Sequence, residues 1–299
     1  MRIGTAEANS TFTTQGHALG QVLRETGYDG PIEIIDARFA STENAQKLED
    51  GELDFGFIAS NWVGRARRGD APFAKPVDLK IVAPMNAGPM YFIASANSSI
   101  GSLHDLRGKI VSVGPENSGT RQHAASILSA LGISFSDITP VYLDFATGAE
   151  ALKRGDVDAQ LQCPYPNRVM TALDASHDLK VIDLSADDLA QVISKFPVYR
   201  RVVLPSGSLR ALKADSLQPA VLNVLVTHAR ADDELVESMA ATIFRHASDL
   251  AQLNGLFQGL PDLFLALGRE GEGSLRFDGV DLHPAARKAY RDAGLFEQP

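Results

Sequence analysis

Residues 106–131, LRGKIVSVGPENSGTRQHAASILSAL, read as a strand, a polar loop and the start of a helix in immediate succession. Lys109 to Val113 is a short β-branched-rich run, and Gly114-Pro115-Glu116-Asn117 interrupts it. Ser118-Gly119-Thr120 then opens a segment whose apolar residues Ala124, Ile127, Leu128 and Leu131 recur at helical spacing. The first amides of such a helix lack intrahelical partners, and the dipole there amounts to about half a positive charge. A carboxylate or phosphate is therefore favoured at this point. The competing reading makes Ser118 an N-cap and nothing more. Neither GxxxxGK[ST] nor GxGxxG occurs in the stretch, and no lysine stands ready for a β or γ phosphate, so a small anion fits better than a nucleotide.

The same strand-loop-helix texture extends through the first 200 residues. Strands are expected at 31–37, 53–59, 79–84, 90–96, 109–113, 157–161 and 179–183, with helices at about 13–26, 42–51, 119–131, 145–155 and 166–175. This alternation makes the fold class α/β, built from βαβ units with largely parallel sheets. TENAQKLEDGELDFGFIA (42–59) and GAEALKRGDVDAQL (148–161) look like two copies of one unit, each passing from an amphipathic helix through a glycine, Gly51 or Gly155, into a strand. They are either a duplicated lobe or a turn that any α/β protein repeats. From Asp232 the pattern becomes mostly helical, with Leu235, Met239, Ile243, Phe244 and Leu250 on one face, which reads as packing. A last helix is marked by Pro284 in its first turn and Gly294 after its end.

Composition narrows the functional classes. The chain has 299 residues, enough for two domains, and a net charge of -9 that argues against a nucleic-acid footprint. Its one basic cluster, Arg65, Arg67 and Arg68, reads as a solvated helix end. A single cysteine, Cys163, excludes an intrachain disulfide framework. No apolar run reaches the roughly 18 residues needed to cross a membrane. Met1-Arg2-Ile3-Gly4-Thr5 enters a strand pattern directly, so either the chain is cytoplasmic or a leader has been removed.

The chain resembles the TAXI-type solute receptors of tripartite (TRAP) transporters, which have a type II periplasmic-binding-protein fold. The resemblance rests on IGTAEANSTFTTQGHAL (3–19), STENAQKLEDGELDFGFIASN (41–61), KIVSVGPENSGTRQHAASILSALGI (109–133), EALKRGDVDAQL (150–161), LPSGSL (204–209) and LHPAARKAYRDAGL (282–295), in the family's order and over nearly the whole chain. It implies two lobes, each a mainly parallel sheet flanked by helices, with a ligand cleft between them. Lobe one would comprise 1–86 and 202–299 and lobe two 87–201, hinged near 86–89 and 198–201. It further implies a periplasmic monomer that delivers its solute to TRAP membrane subunits, with no cofactor, no metal and no nucleic acid. Where the family commonly has a GGTGGT-like loop this chain has Ala6-Glu7-Ala8-Asn9-Ser10-Thr11. Phe12 replaces a frequent tyrosine and Asn61 a common aspartate, so ligand identity does not transfer.

The resemblance, with the rule that open α/β sheets bind at the carboxyl ends of their strands, brings four loops to the cleft. The first offers Thr5, Asn9, Ser10, Thr11 and Phe12, with Thr11 also expected to cap the following helix. Ser60 and Asn61 end the strand LDFGFIA, and Asn61 serves either the ligand or the next helix as its cap. The second lobe supplies Ser118, Gly119, Thr120 and Arg121, whose guanidinium either grips a carboxylate or points to solvent. Gln162 and Tyr165 complete the set, Tyr165 by closing over an apolar part of the ligand. Trp62, the only tryptophan, is assigned to packing.

Catalysis has no positive signal. The seven histidines are scattered without HExxH, there is no GxSxG elbow, and Cys163 stands between Gln162 and Pro164 with no nucleophile signature. The expected ligand is a small carboxylated or zwitterionic solute, an organic acid or an amino acid such as glutamate. Two other classes stay open: an enzyme on the same bilobal fold, akin to prephenate dehydratase or porphobilinogen deaminase, and a cytoplasmic ligand-sensing domain.

Overall fold

The structure is a computed structural model that describes residues 1–296 apart from residues 9, 117 and 166. In chain order the elements are β1 (Arg2–Gly4), α1 (Thr11–Glu25), β2 (Glu33–Ile35), α2 (Ser41–Glu49), β3 (Phe55–Ala59), α3 (Ser60–Arg68) and β4 (Leu79–Pro89). Next come β5 (Tyr91–Ser95), β6 (Ile110–Ser112), α4 (Gly119–Ala130), β7 (Thr139–Val141), α5 (Phe145–Arg154), β8 (Ala159–Gln162), α6 (Arg168–Ser176), β9 (Leu179–Ile182) and α7 (Ala186–Lys195). The chain finishes with β10 (Tyr199–Leu204), β11 (Ser216–His228), α8 (Asp233–Arg245), α9 (Ala247–Leu253), α10 (Leu260–Glu270) and α11 (Pro284–Asp292). It divides into two compact units, Met1–Asn86 with Leu222–Pro299, and Ala87–Val221. Strands β4 and β11 carry the chain across the two boundaries.

In the first unit β1 lies between β2 and β3 and runs parallel to both, with Ile3 opposite Ile34 and Phe55. β11 joins β3 in antiparallel register, Asn223 opposite Ala59 and Val226 opposite Gly56. Helix α1 buries Phe12, Leu19, Val22 and Leu23 along one stripe. Beyond β11 the unit is helical: Phe244, Phe264 and Tyr290 pack edge to face with ring centroids 5.0–6.0 Å apart. Gly294, just past α11, takes a φ of +77°. The three arginines at the end of α3 are tied down within this unit. Arg68 pairs with Asp70 and Asp278, and the Arg65 guanidinium stacks 4.6 Å from the Trp62 ring, which itself packs edge-on to Phe73.

The second unit holds a five-stranded sheet in the order β7-β6-β8-β5-β9. Strands β7, β6 and β8 are mutually parallel, while β5 runs antiparallel to β8 and β9. One face packs Phe92, Val111 and Leu161 under Ile127 and Leu128 of α4, and the other packs Tyr91 and Ile93 under Leu152, Met170 and Leu173. Each such side chain contributes on the order of 1.5–3 kcal/mol of burial, an upper bound because the unfolded chain is not fully extended.

The two matching sequence segments form equivalent units, α2-β3 and α5-β8. The glycine after each helix is left-handed, Gly51 at φ +73° and Gly155 at +77°. One expected boundary is corrected. The return to the first unit falls at Val221–Leu222 and not near residue 202, because β10 pairs with residues 216–221 of β11, from Tyr199 opposite Val221 to Leu204 opposite Ser216, and so stays with the second unit. Elements β7, α7, β10 and β11 are additions to the expected set.

Candidate functional site

In the first unit the candidate residues gather where β1 and β3 end and α1 and α3 begin. Thr5 is fully buried; its hydroxyl donates to the Ile35 carbonyl at 3.1 Å and accepts from the Thr13 hydroxyl at 3.2 Å. That hydroxyl is spent on joining β1, β2 and α1. Ser10, not Thr11, caps α1: its Oγ accepts from the Thr13 amide at 3.3 Å, and Thr11 is the exposed first residue of the helix. The cap moves back one residue because the extended φ and ψ of a cap, -73° and 169°, occur at Ser10. Phe12 is buried with its ring 5.4 Å from that of Phe57, a core contact. Asn9 lies outside the described residues.

Ser60 and Asn61 follow different courses. Ser60 is buried, and its Oγ accepts from the Leu222 amide at 3.2 Å, which pins α3 to β11. Asn61 is not the cap of α3, because the helix begins one residue earlier on an Ala59 cap that has no side-chain acceptor. The half-buried Asn61 side chain and the backbone amides of Asn61 and Trp62 therefore have no partner among the described residues. The first unit thus presents an unoccupied amide side chain at the positive end of a nine-residue helix.

A network absent from the sequence reading lies beside them. The Gln15 Nε2 donates to Asn86 Oδ1 at 3.1 Å and the Asn223 Nδ2 to the same oxygen at 3.2 Å, which joins α1 to both strands that cross the boundary. Gln15 is fully buried, and its Oε1 has no partner among the described residues. The signal was present in the sequence: Gln15 interrupts the apolar stripe Phe12, Leu19, Val22 with an amide.

In the second unit α4 opens where β6 ends. Ser118 is its N-cap, accepting from the Arg121 amide at 3.1 Å and donating to the Pro115 carbonyl at 2.7 Å, so its hydroxyl is engaged. The amides of Gly119 and Thr120 carry no acceptor among the described residues. Gly114, at φ +93°, lets this turn close: a Cβ there would stand 2.6 Å from the Thr120 Cβ. The Thr120 hydroxyl hydrogen-bonds the Cys163 thiol, whose pKa burial pushes up to about 11, so Cys163 is a protonated packing group and not a nucleophile. Arg121 is half-buried with its guanidinium carbon 5.5 Å from the Phe135 ring and 5.6 Å from that of Tyr142; no carboxylate among the described residues pairs with it.

Gln162, the last residue of β8, is fully buried. Its Oε1 accepts a long 3.4 Å bond from Asn167, whereas its Nε2 has no partner among the described residues. Buried donors are nearly always paired, and this amide is one of several buried side-chain groups in the sheet, with Ser112 Oγ and Gln160 Oε1, that have no partner among the described residues. Tyr165 is committed elsewhere: its OH donates to the Ser208 carbonyl at 2.7 Å and its ring packs against the core, which leaves it unsuited to close over a ligand as expected. Pro166, the end of this loop, lies outside the described residues. On α4, burial holds His123 down to about 4, and its Nδ1 shares a 2.7 Å hydrogen bond with the Tyr199 hydroxyl.

Each unit therefore brings unspent donors to the carboxyl ends of parallel strands: Asn61 and the start of α3 in one, and Gly119, Thr120, Arg121 and Gln162 in the other. Free donors with no activated nucleophile suit recognition of an oxygen-rich anion better than a covalent step. Among the described residues no group of three His, Cys, Asp or Glu is placed to hold a metal ion. No described helix is long and apolar enough to cross a membrane.

Solved structures of similar fold include the periplasmic aliphatic sulphonate binding protein SsuA of Escherichia coli, 18% identical, with a TM-score of 0.52 over 89% of this chain and 81% of that one. A putative periplasmic sulfonate-binding protein of Methylobacillus flagellatus KT gives 0.55 at 15% identity, over 98% of this chain and 84% of that one. The second substrate binding domain of a putative amino acid ABC transporter from Streptococcus pneumoniae gives 0.52 at 14% identity, over 88% and 98%. At these identities the likeness is one of fold, the α/β fold of type II periplasmic binding proteins. The sequence model of the NMT1-like family matches residues 3–294, and the chain belongs to the NMT1-like family.

Proposed function

We propose that this protein is an extracytoplasmic solute receptor of a TRAP transporter that captures a small carboxylated or zwitterionic solute and delivers it to membrane subunits. An organic acid or an amino acid such as glutamate fits the donor set. The observation that carries the reading is the buried Gln162 Nε2, which has no partner among the described residues; it ends β8, which pairs with β6, the strand leading into the free donors of α4, and it is matched in kind by Asn61 at α3. Fold and family support a solute-binding role, and the TAXI-like segments support the TRAP assignment. Capture would proceed by hinge closure about the boundary residues Asn86–Ala87 and Val221–Leu222, since a ligand held by both units favours the closed state by its differential affinity.

Calorimetric titration of the purified protein with a panel of organic acids and amino acids tests the proposal. Saturable binding of at least one carboxylated solute is expected, weakened about tenfold or more by Arg121→Ala and by Asn61→Ala. Binding of neutral sugars alone, or carboxylate binding unchanged in both variants, would overturn it.

A further inference from the structure

The helical end of the first unit contains a groove with no part in the site above. Phe244, Phe264, Leu265 and Leu295 form its apolar wall, Arg245 and Arg269 its charged residues, and its volume of about 550 Å³ suits a small organic molecule. The floor is fixed: the Phe244 and Phe264 rings lie 5.0 Å apart, both against Tyr290, which is fully buried and donates to the Val82 carbonyl at 2.7 Å. Leu265 stands 56% exposed on this wall.

The charges decide the occupant. Neighbouring cations of the same helical region are paired, Lys288 with Glu237 and Asp292, Arg287 and Arg291 with Glu272, and Arg276 with Asp281. Among the described residues, Arg245 and Arg269 have no ion pair or hydrogen bond and no carboxylate lines the groove. Each stands in the last turn of its helix, α8 or α10, where the dipole favours a cation. That accounts for their charge but not for the aromatic floor and exposed leucine beside them.

We propose that this groove binds an amphipathic monoanion, a medium-chain monocarboxylate whose tail lies on the Phe244 and Phe264 rings and whose head meets Arg245 and Arg269. It is a second site, independent of the solute site.

Calorimetric titration of the full chain with sodium decanoate, below its micelle concentration, tests this. Saturable binding is expected, at least tenfold weaker for hexanoate because each buried methylene is worth about fourfold. Decyltrimethylammonium, with the same tail and opposite charge, should bind at least tenfold more weakly than decanoate. Arg245→Gln combined with Arg269→Gln should weaken decanoate about tenfold or more. Leu265→Glu, at an exposed position that folding does not need, should do the same. Asn61→Ala with Arg121→Ala should leave decanoate affinity unchanged, which separates failure here from failure of the solute-site reading. Absence of saturable binding, equal affinity for the cationic probe, or full affinity in the two groove variants would overturn the proposal.

Discussion

Gln162→Leu tests the solute site through stability and binding together. In the free protein the Gln162 Nε2 is buried without a partner among the described residues, at a cost on the order of 1–3 kcal/mol. Leucine of similar size removes that cost. It also removes the 3.4 Å bond from Asn167, a small loss because Asn167 still donates to the Pro164 carbonyl at 2.8 Å. The unliganded variant should therefore be more stable by about 1 kcal/mol, raising Tm by about 2–4 °C. A hydrogen bond to a charged carboxylate is worth about 1.5–3 kcal/mol, so the same substitution should weaken solute binding by roughly 10- to 100-fold. Urea unfolding of the free variant and calorimetry with the solute give the two readings. A variant destabilised by more than about 1 kcal/mol, with solute affinity unchanged, would show that the amide already has a structural partner and would refute this reasoning.

Ser60→Ala leaves the buried Leu222 amide without the acceptor that now lies at 3.2 Å; a loss of about 1–3 kcal/mol is expected in urea unfolding. His123 is held down to about 4 in the fold against about 6.5 when unfolded, so the unfolded chain takes up a proton first and stability should fall as pH drops from about 6.5 to 4, by at most about 3 kcal/mol, before levelling off. Unfolding titrations across that range should show a correspondingly flatter profile for His123→Gln. Gly148→Ala puts a Cβ 2.3 Å from the Gln160 Nε2 and 2.8 Å from the Ser112 Oγ beneath α5; a Tm lowered by several degrees is expected, and an unchanged Tm would mean that this helix is loosely seated.

The α/β alternation was legible because its strands are short apolar runs and its helices end on glycines that the structure places at positive φ, such as Gly51 and Gly155. Strand β11 was not, since Pro219 sits inside SLQPAVLNVLVTH and a proline there argues against a central strand. The structure accommodates it opposite Arg201, with the Pro219 carbonyl accepting from the Met90 amide at 2.8 Å. The start of helix α3 was not legible because its cap is Ala59, which carries no capping side chain, so Asn61 looked like the cap. The same kind of limit applies to the site. Residue type brought Thr5, Phe12 and Tyr165 into the candidate list, but the hydroxyl of Thr5, the ring of Phe12 and the OH of Tyr165 are spent on tertiary contacts that no local pattern encodes. Gln162 entered the candidate list in the same way, as a polar residue in the loop after a strand, and its Nε2 is buried without a partner among the described residues, which no local pattern encodes.

A crystal structure of the protein bound to a carboxylated solute from the calorimetric panel bears most directly on the receptor reading. The expected result is a carboxylate within hydrogen-bonding distance of the Gln162 Nε2 and of the Gly119 or Thr120 amide, with the solute's other polar atoms met by Asn61. A solute bound away from these groups, with an ordered water completing the Gln162 amide, would contradict it.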